Sequence, residues 1–345
     1  MSTFQARVDR PKLDGLQAGR AVAALLVVAF HINVFILPDR LYDGDRAGAV
    51  FNMGYAGVEF FFVLSGFIMY HIHAKDFGVS TRAWTFFKRR IQRIYPIYWF
   101  ILIGLLGLYA VTGSGPDNKF EPLAILTSLL LIPTPDFPIM RVAWTLEHEM
   151  LFYILFLSLI VNKRIGFIVF AVWMIGSVLI PLMGIKFFPL NFLFADYNLL
   201  FLFGMIVAWG YRFLSVPARM PIFMIGLSIY LGTGFSEALF QVDWTHCWRT
   251  WAYGIGAAMI TAALAREVLT VPKWLVFLGD ASYSIYLAHL PAMGVFVVVL
   301  AEFGGPWSLS PQVSGLLMMI LAVLSGCLIY LCVERPLMRY SGSKS

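Results

Sequence analysis

The sequence predicts an all-α polytopic membrane protein with about ten transmembrane helices. Of its 345 residues, 60% are hydrophobic and only 13% are charged, and the mean hydropathy is +0.80. A soluble globular domain does not carry so much apolar surface. Apolar stretches of about 20 residues, long enough for a helix to cross a bilayer, recur along the chain. We therefore expect a single integral-membrane domain over residues 1–345, without an appended soluble domain.

The apolar stretches follow one another with short polar connections. We expect ten crossings, at residues 16–37, 51–73, 94–112, 144–161, 165–184, 196–213, 220–236, 250–265, 281–301 and 312–333. The first is full length and lacks a small-residue cleavage pattern, so we do not interpret it as a signal peptide. A further segment, 122–132, is closed by Pro133 and Pro135 and is too short to cross. We expect it to be re-entrant or interfacial.

The basic residues predict the orientation, because cytoplasmic loops of membrane proteins are enriched in Lys and Arg. If the N-terminus is cytoplasmic and 122–132 does not cross, the cytoplasmic side holds 19 of the 25 basic residues. They are Arg7, Arg10, Lys12, Arg20, Lys75, Arg82, Lys88, Arg89, Arg90, Arg93, Lys163, Arg164, Arg212, Arg219, Arg266, Lys273, Arg335, Arg339 and Lys344. Both termini are then cytoplasmic. Since topology accounts for the net charge of +6, no nucleic-acid partner is expected.

Two ionisable residues, Arg20 and His31, lie inside the first span with ten residues between them. Such side chains are costly in hydrocarbon and are rare there without a reason. Eleven helical steps return to nearly the same face and separate the two residues by about 16 Å along the axis. The pair suggests two points on one path. Alternatively, Arg20 reaches lipid headgroups and His31 hydrogen-bonds a neighbouring helix.

The densest charge cluster, KRRIQR at residues 88–93, follows the second span. Such a run could enforce topology or hold anionic lipid. Alternatively, Arg89, Arg90 and Arg93 bind the phosphates of a cytoplasmic donor, because a planar guanidinium binds phosphate bidentately. Arg20 lies at the same predicted depth and could join them. Coenzyme A is a donor with the required phosphates. No metal site is expected, since the three cysteines show no ligand spacing.

The fourth span opens with a polar run at residues 144–153. We expect Glu147 and His148 to face water at the helix start, whereas Glu149 lies deeper and needs a polar partner. We hypothesise that Glu149 lies beside His31. A buried carboxylate there would fix the tautomer of the imidazole and raise its basicity, as a general base requires.

A polar stripe runs along the ninth span. Ser282, Tyr286 and His289 are spaced i, i+4 and i+7, which places them on one helix face. They could line a cavity or bond neighbouring helices, and both interpretations stay open. Trp144 and Tyr153 of the fourth span are further candidates for a substrate-lining role.

Six motifs together resemble the membrane acyltransferase family 3, the O-acyltransferases of bacterial surface polysaccharides. The resemblance covers about residues 12–340 and is closest to the short standalone exopolysaccharide-modifying (ExoZ-like) members. The motifs are Arg20-x10-His31, Gly57–Phe67 (GVEFFFVLSGF), Arg90-x-x-Arg93 with Ile94-Tyr95-Pro96, Trp144-Thr145-Leu146-x-x-Glu149 with Phe152-Tyr153, Ser282-Tyr283-Ser284-x-Tyr286-Leu287-x-His289, and Glu334-Arg335-Pro336.

The resemblance implies transfer of an acyl group, acetyl by default, from cytoplasmic acyl-CoA to a hydroxyl of an exported polysaccharide or its lipid-linked precursor. It implies a bacterial inner membrane and no permanently bound cofactor. Arg20 and His31 match the family's essential pair. Arg90 and Arg93 match its second basic motif. Glu149 matches the acid of its tryptophan-led motif.

The resulting hypothesis joins both lines of reasoning. The arginines hold acyl-CoA, and His31, oriented by Glu149, deprotonates the acceptor hydroxyl or carries the acyl group transiently. Membrane lipids are further partners, and association with polysaccharide assembly machinery or a second copy stays open. A flippase of a lipid-linked sugar and a non-catalytic subunit of a polysaccharide synthesis complex are the alternative functions.

Overall fold

The computed structural model describes residues 13–265, 270–302 and 309–342, and every regular element in those ranges is helical. The predicted all-α class is therefore confirmed. Of the basic residues behind the topology prediction, Arg7, Arg10, Lys12, Arg266 and Lys344 lie outside the described ranges. The α-helices are α1 (Asp14–His31), α2 (Gly57–His73), α3 (Ala83–Thr112), α4 (Pro122–Leu130), α5 (Trp144–Val161), α6 (Lys163–Leu182), α7 (Leu190–Leu193), α8 (Asn198–Gly210), α9 (Arg219–Ala238), α10 (His246–Leu264), α11 (Lys273–Glu302), α12 (Pro311–Ile329) and α13 (Arg335–Gly342).

Eight helical stretches in the described ranges are long and apolar enough to cross a membrane. They are Asp14–Leu41, Ala49–Asp76, Ser80–Thr112, Arg141–Val161, Lys163–Leu182, Leu190–Phe213, Lys273–Val299 and Pro311–Tyr340. The remaining two expected crossings fall on α9 and α10, which are 20 and 19 residues long but less apolar. Two of their charged residues, Glu237 and Arg249, pair with each other. The total of ten crossings and the cytoplasmic termini stay predictions.

The short segment at 122–132 forms α4, a helix of nine residues. The helix is about 14 Å long, whereas a crossing requires about 30 Å. The hydroxyls of Tyr95 and Tyr98 and the indole of Trp99 donate to the last carbonyls of this helix at 2.6–2.9 Å. Side chains near the middle of α3 thus satisfy the free C-terminal carbonyls, which suits a segment that ends inside the protein.

Close contacts at glycines hold the central helices together. A Cβ atom on Gly66 of α2 would lie 2.0 Å from the Phe201 carbonyl oxygen of α8, and one on Gly204 would lie 1.8 Å from that of Val63. Small residues let transmembrane helices approach to backbone contact. The helix α1 packs against α2 and α11, and α12 packs against both α11 and α1. Polar residues of α1 and α11 meet where Arg20 donates to Ser282 and where His31 contacts His289.

Two local expectations about helix starts are wrong. Helix α11 begins at Lys273, eight residues before the expected start at 281. Glu147 and His148 do not face water, since their exposed fractions are only 6% and 5%. The His148 ring stacks on Phe192 and its Nδ1 atom lies 3.2 Å from Oδ1 of Asn198. The short helix α7 and the start of α8 therefore cover this end of α5.

Candidate active site

A cavity of about 480 Å³ lies among α1, α2, α3, α5 and α11, and we call it the basic cavity. Four guanidinium groups line it, one from α1 and three from α3, together with polar side chains of the other helices. The charged and hydroxyl-bearing lining residues are Arg20, Arg89, Arg90, Arg93, Ser65, Thr145, Glu149, Tyr153, Ser282, Tyr283 and Tyr286. It lies toward the end of the molecule that the basic residues predict to face the cytoplasm.

Most of the cations in the basic cavity are not paired with carboxylates. Arg93 forms a salt bridge to Glu334, a fully buried residue that also accepts a hydrogen bond from the Ser284 hydroxyl. Arg20 donates to the Ser282 hydroxyl, at 3.1 Å. Within the described ranges, Arg20, Arg89 and Arg90 form no salt bridge. In that part of the chain the cavity thus has three cations without a salt bridge, which favours an anionic ligand.

Arg90 is the most unusual of these cations. Its guanidinium carbon lies 5.9 Å and 5.8 Å from the ring centres of Phe86 and Tyr153, so two aromatic faces position it. Its Nε atom is buried and has no hydrogen-bond partner in the described part of the chain. A donor without a partner beside an open cavity is available to a ligand oxygen.

Glu149 lies in the basic cavity and does not touch His31. Its Oε1 atom accepts hydrogen bonds from the Ser65 and Tyr153 hydroxyls, at 2.9 Å and 2.6 Å. The predicted contact between Glu149 and His31 is therefore wrong. Glu149 belongs to the middle of α5, whereas His31 is the last residue of α1. The carboxylate is part of the surroundings of the arginines instead.

A second cavity, of about 520 Å³, contains His31, and we call it the histidine cavity. Aromatic and charged side chains surround the imidazole, contributed by α1, α2, α5, α9, α10, α11 and connecting segments. The polar and aromatic lining residues are Phe30, His31, Arg46, Asn52, Tyr55, Glu59, Trp144, Tyr197, Glu237, Arg249 and Tyr286. Since Arg20 and His31 belong to one helix, the two cavities follow one another along α1.

A second histidine orients His31. The Nδ1 atom of His31 lies 2.8 Å from the Val27 carbonyl oxygen and 3.3 Å from Nε2 of His289. The Nδ1 atom of His289 lies 2.6 Å from the Tyr286 carbonyl oxygen. Because a carbonyl only accepts, each Nδ1 carries the proton in the neutral ring. His289 thus offers the lone pair of Nε2 to His31, and the lone pair of His31 itself is on its own Nε2.

A thin wall separates the two cavities. Only Val58 and Tyr286 line both of them in the described structure. The Tyr286 hydroxyl lies 2.9 Å from the Thr145 hydroxyl and 3.1 Å from the Val142 carbonyl oxygen, which fixes the ring in place. The two cavities are therefore separated by a single layer of side chains at this point.

The histidine cavity contains two carboxylates in different states. Glu237 accepts hydrogen bonds from the Tyr55 and Tyr253 hydroxyls, at 2.6 Å and 2.8 Å, and pairs with Arg249. Glu59 is only 1% exposed, and neither of its carboxylate oxygens has a hydrogen-bond partner in the described ranges. Sequence reasoning assigned a role to neither. A carboxylate inside an apolar span, as Glu59 is, was the signal that could have found one.

The comparisons with known proteins show the family to which the chain belongs. The profile of the family described as Acyltransferase domain matches residues 13–331. The chain belongs to this acyltransferase family. The exopolysaccharide production protein ExoZ of Rhizobium meliloti (strain 1021) is 28% identical over 86% of the chain and 94% of its own length. Acyltransferase MdmB of Streptomyces mycarofaciens is 25% identical over 98% of the chain and 94% of its own length. No solved structure matches the chain.

In this acyltransferase, the predicted site residues divide between the two cavities. Those that line the basic cavity are Arg20, Arg89, Arg90, Arg93, Glu149, Tyr153 and Ser282, and those that line the histidine cavity are His31 and Trp144. Tyr286 lines both, and His289 lies behind His31 without lining either. The polar stripe of α11 thus contacts α1 at Arg20 and again at His31, as a shared face of α1 requires. No cluster of metal-binding side chains occurs in the described ranges.

Proposed function

We propose that this protein is a membrane O-acyltransferase that transfers an acyl group, acetyl by default, from acyl-CoA to a hydroxyl of a polysaccharide or its lipid-linked precursor. One observation carries the proposal. In the described ranges, a cavity with three arginines that form no salt bridge adjoins the cavity that contains His31, and Val58 and Tyr286 line both. This is the arrangement that a phosphate-rich donor and a neutral acceptor on opposite sides of a membrane would need.

The donor would occupy the basic cavity. Arg20, Arg89 and Arg90 would bind its phosphates from the predicted cytoplasmic end, because guanidinium groups bind phosphate through paired charge-assisted hydrogen bonds. The pantetheine arm would extend from these phosphates toward Tyr286, which brings the thioester to the wall. The about 16 Å between Arg20 and His31 along α1 is a span that an extended arm of this kind can cover.

The reaction would proceed at the wall. The acceptor hydroxyl donates its proton to Nε2 of His31 while its oxygen attacks the thioester carbonyl carbon. The new carbon–oxygen ester bond forms, the carbon–sulfur bond breaks, and coenzyme A leaves as the thiolate, which takes the proton back from His31. Nε2 is also the atom that would carry the acyl group if His31 acted as a nucleophile.

The acceptor class follows from the relatives and not from the fold. ExoZ is named for exopolysaccharide production, and it aligns with most of this chain. A polysaccharide made for export is assembled at the inner membrane of bacteria, so we propose that membrane as the location. A lipid-linked precursor would present its sugar at the same depth as the histidine cavity.

The proposal is tested by measuring transfer of the radiolabelled acetyl group of acetyl-CoA to extractable glycan in native membranes. We expect His31→Ala to lower the transfer rate by about 10²–10⁴, since a general base contributes that much, while donor binding stays within about twofold of wild type. His73→Gln is the matched control. His73 is the last residue of α2, pairs with Asp76 and lines neither cavity.

The outcomes separate the candidate functions. Labelling that does not depend on His31 would remove it as base or carrier. No labelling and no donor binding by the wild-type protein would exclude the enzyme and favour a flippase of a lipid-linked sugar. Donor binding without transfer by the wild type would favour a non-catalytic subunit.

A further inference from the structure

The histidine cavity contains a polar group that acyl transfer from His31 does not use. Glu59, the third residue of α2, is 1% exposed and lines this cavity. Both of its carboxylate oxygens are buried without a hydrogen-bond partner in the described ranges. A buried polar group without a partner costs free energy, and native structures contain few of them. Two adjacent acceptor oxygens are thus available to a ligand that supplies hydroxyl donors.

The cations near Glu59 do not make this cavity an anion site. Arg249 pairs with Glu237 at 3.5 Å, and its guanidinium carbon lies 5.0 Å from the ring centre of Tyr55. Its buried Nε atom has no hydrogen-bond partner in the described ranges and can donate to a hydroxyl oxygen. Arg46 also lines the cavity, but it is exposed, and water and salt screen its charge. An anionic ligand would lose its hydration here and face Glu59 and Glu237 in return.

Aromatic rings form another part of the same lining. Trp144 and Tyr197 both line the cavity, and their ring centres lie 5.1 Å apart with an angle of 57° between the planes. Such rings offer apolar faces to the C–H groups of a sugar, while hydrogen-bonding groups beside them bind its hydroxyls. The cavity volume of about 520 Å³ falls within the about 300–1,000 Å³ that small-molecule sites occupy.

We propose that the histidine cavity binds one uncharged, hydroxyl-rich sugar residue of the acceptor, with Glu59 accepting hydrogen bonds from two neighbouring hydroxyls. Trp144 and Tyr197 contact the faces of this sugar, and a third hydroxyl is thereby directed to Nε2 of His31. Sugars that carry a carboxylate or a phosphate are disfavoured at this position. The inference rests on the proposed acyltransferase function and narrows its substrate class.

Competition in the glycan-labelling assay tests this assignment. The probes are methyl β-D-glucopyranoside and methyl β-D-galactopyranoside, each paired with the corresponding uronic acid glycoside, at saturating acetyl-CoA. We expect a neutral glycoside to inhibit glycan labelling and to become acetylated, and the matching uronate to inhibit at least about tenfold more weakly. Glu59→Gln should raise the inhibition constant of the neutral glycoside about tenfold while the KM for acetyl-CoA stays within about twofold.

Two further variants keep the test interpretable. Asp117→Asn changes an exposed acid that lines neither cavity and should behave as wild type. An unchanged KM for acetyl-CoA shows that the Glu59→Gln protein is folded. If that variant does not accumulate, Trp144→Leu replaces it, with an expected rise of about fivefold in the same inhibition constant.

Three results would overturn the inference. They are no inhibition by either neutral glycoside, equal inhibition by the uronates, and an unchanged inhibition constant in Glu59→Gln or, where that protein does not accumulate, in Trp144→Leu. Each of them requires that the wild-type protein labels glycan. Absence of labelling by the wild type is a separate outcome, which contradicts the proposed function itself.

Discussion

The basic cavity and the histidine cavity have similar volumes but different electrostatics. Of the four arginines of the basic cavity, only Arg93 forms a salt bridge within the described ranges. In the histidine cavity, Arg249 pairs with Glu237, and the carboxylate of Glu59 has no hydrogen-bond partner in the same part of the chain. A buried charge without a partner indicates which kind of ligand a site binds, because a buried charge is stable only with a partner. One cavity therefore suits a phosphorylated donor and the other a hydroxylated acceptor.

The side chains between the cavities link the two sites to each other. Tyr286 contributes its ring to both cavities and its carbonyl oxygen to His289, which in turn contacts His31. Tyr286 of α11 thus lies between the two cavities. Its carbonyl oxygen also holds His289, which orients His31. Variants on either side of Tyr286 should consequently affect different kinetic constants.

The largest of the following effects is expected at Arg90. Arg90→Ala should raise the KM for acetyl-CoA about tenfold and change kcat by less than about threefold, because a charge-assisted contact to phosphate is lost in the ground state and the transition state alike. The difference from wild type should shrink as salt is added. Lys88→Ala, an exposed cation of the same helix that lines neither cavity, is the control. A lower kcat at unchanged KM would break the assignment of the basic cavity to the donor.

A similar but kinetically distinct effect is expected at His289. His289→Phe removes the second acceptor near Nδ1 of His31 and leaves only the Val27 carbonyl among the described partners. We expect kcat to fall about tenfold with the KM of both substrates within about twofold. His289→Gln should recover most of the rate, since its amide can accept from His31 and donate to the Tyr286 carbonyl. Equal loss in the Phe and Gln variants would show that His289 only fills space.

The smallest effect is expected at Glu149, and it distinguishes the two cavities most directly. Glu149→Gln removes the one carboxylate that lines the basic cavity in the described ranges, so the KM for acetyl-CoA should fall about two- to threefold because repulsion of the phosphates decreases. The kcat should stay within about threefold of wild type. A tenfold lower kcat at constant KM would instead restore the hypothesis that Glu149 serves His31.

The fold was largely predictable because apolar length and charge are local properties. All ten expected crossings correspond to helices, and the short 122–132 segment is a nine-residue helix as its prolines indicate. Helix boundaries were less accurate, as at Lys273. The apolar residues at 274–278 precede the expected start at 281 and extend the helix.

The residues of the site could be predicted from the sequence, but the contacts between them could not. Arg20, Arg90 and His31 were identified because charge within or beside an apolar span is itself unusual. The partner assigned to His31 was wrong, since helical periodicity places a residue on a face but does not say which other helix that face meets. For His289, cavity lining and bonding to a neighbouring helix were both open, and its ring contacts His31 of α1. Glu59 was noted only as part of the Gly57–Phe67 motif and was assigned no role.

By itself, the sequence determined the membrane class, the helices and the presence of arginines and a histidine on one face of α1, because hydropathy and helical spacing are encoded residue by residue. Only the tertiary structure decided that these residues open into two cavities, that Tyr286 separates them, and that Glu59 lacks a partner. Those properties arise from glycine-mediated contacts between helices that are distant in the chain, such as Gly66 with Phe201. Which charges remain uncompensated depends on that packing.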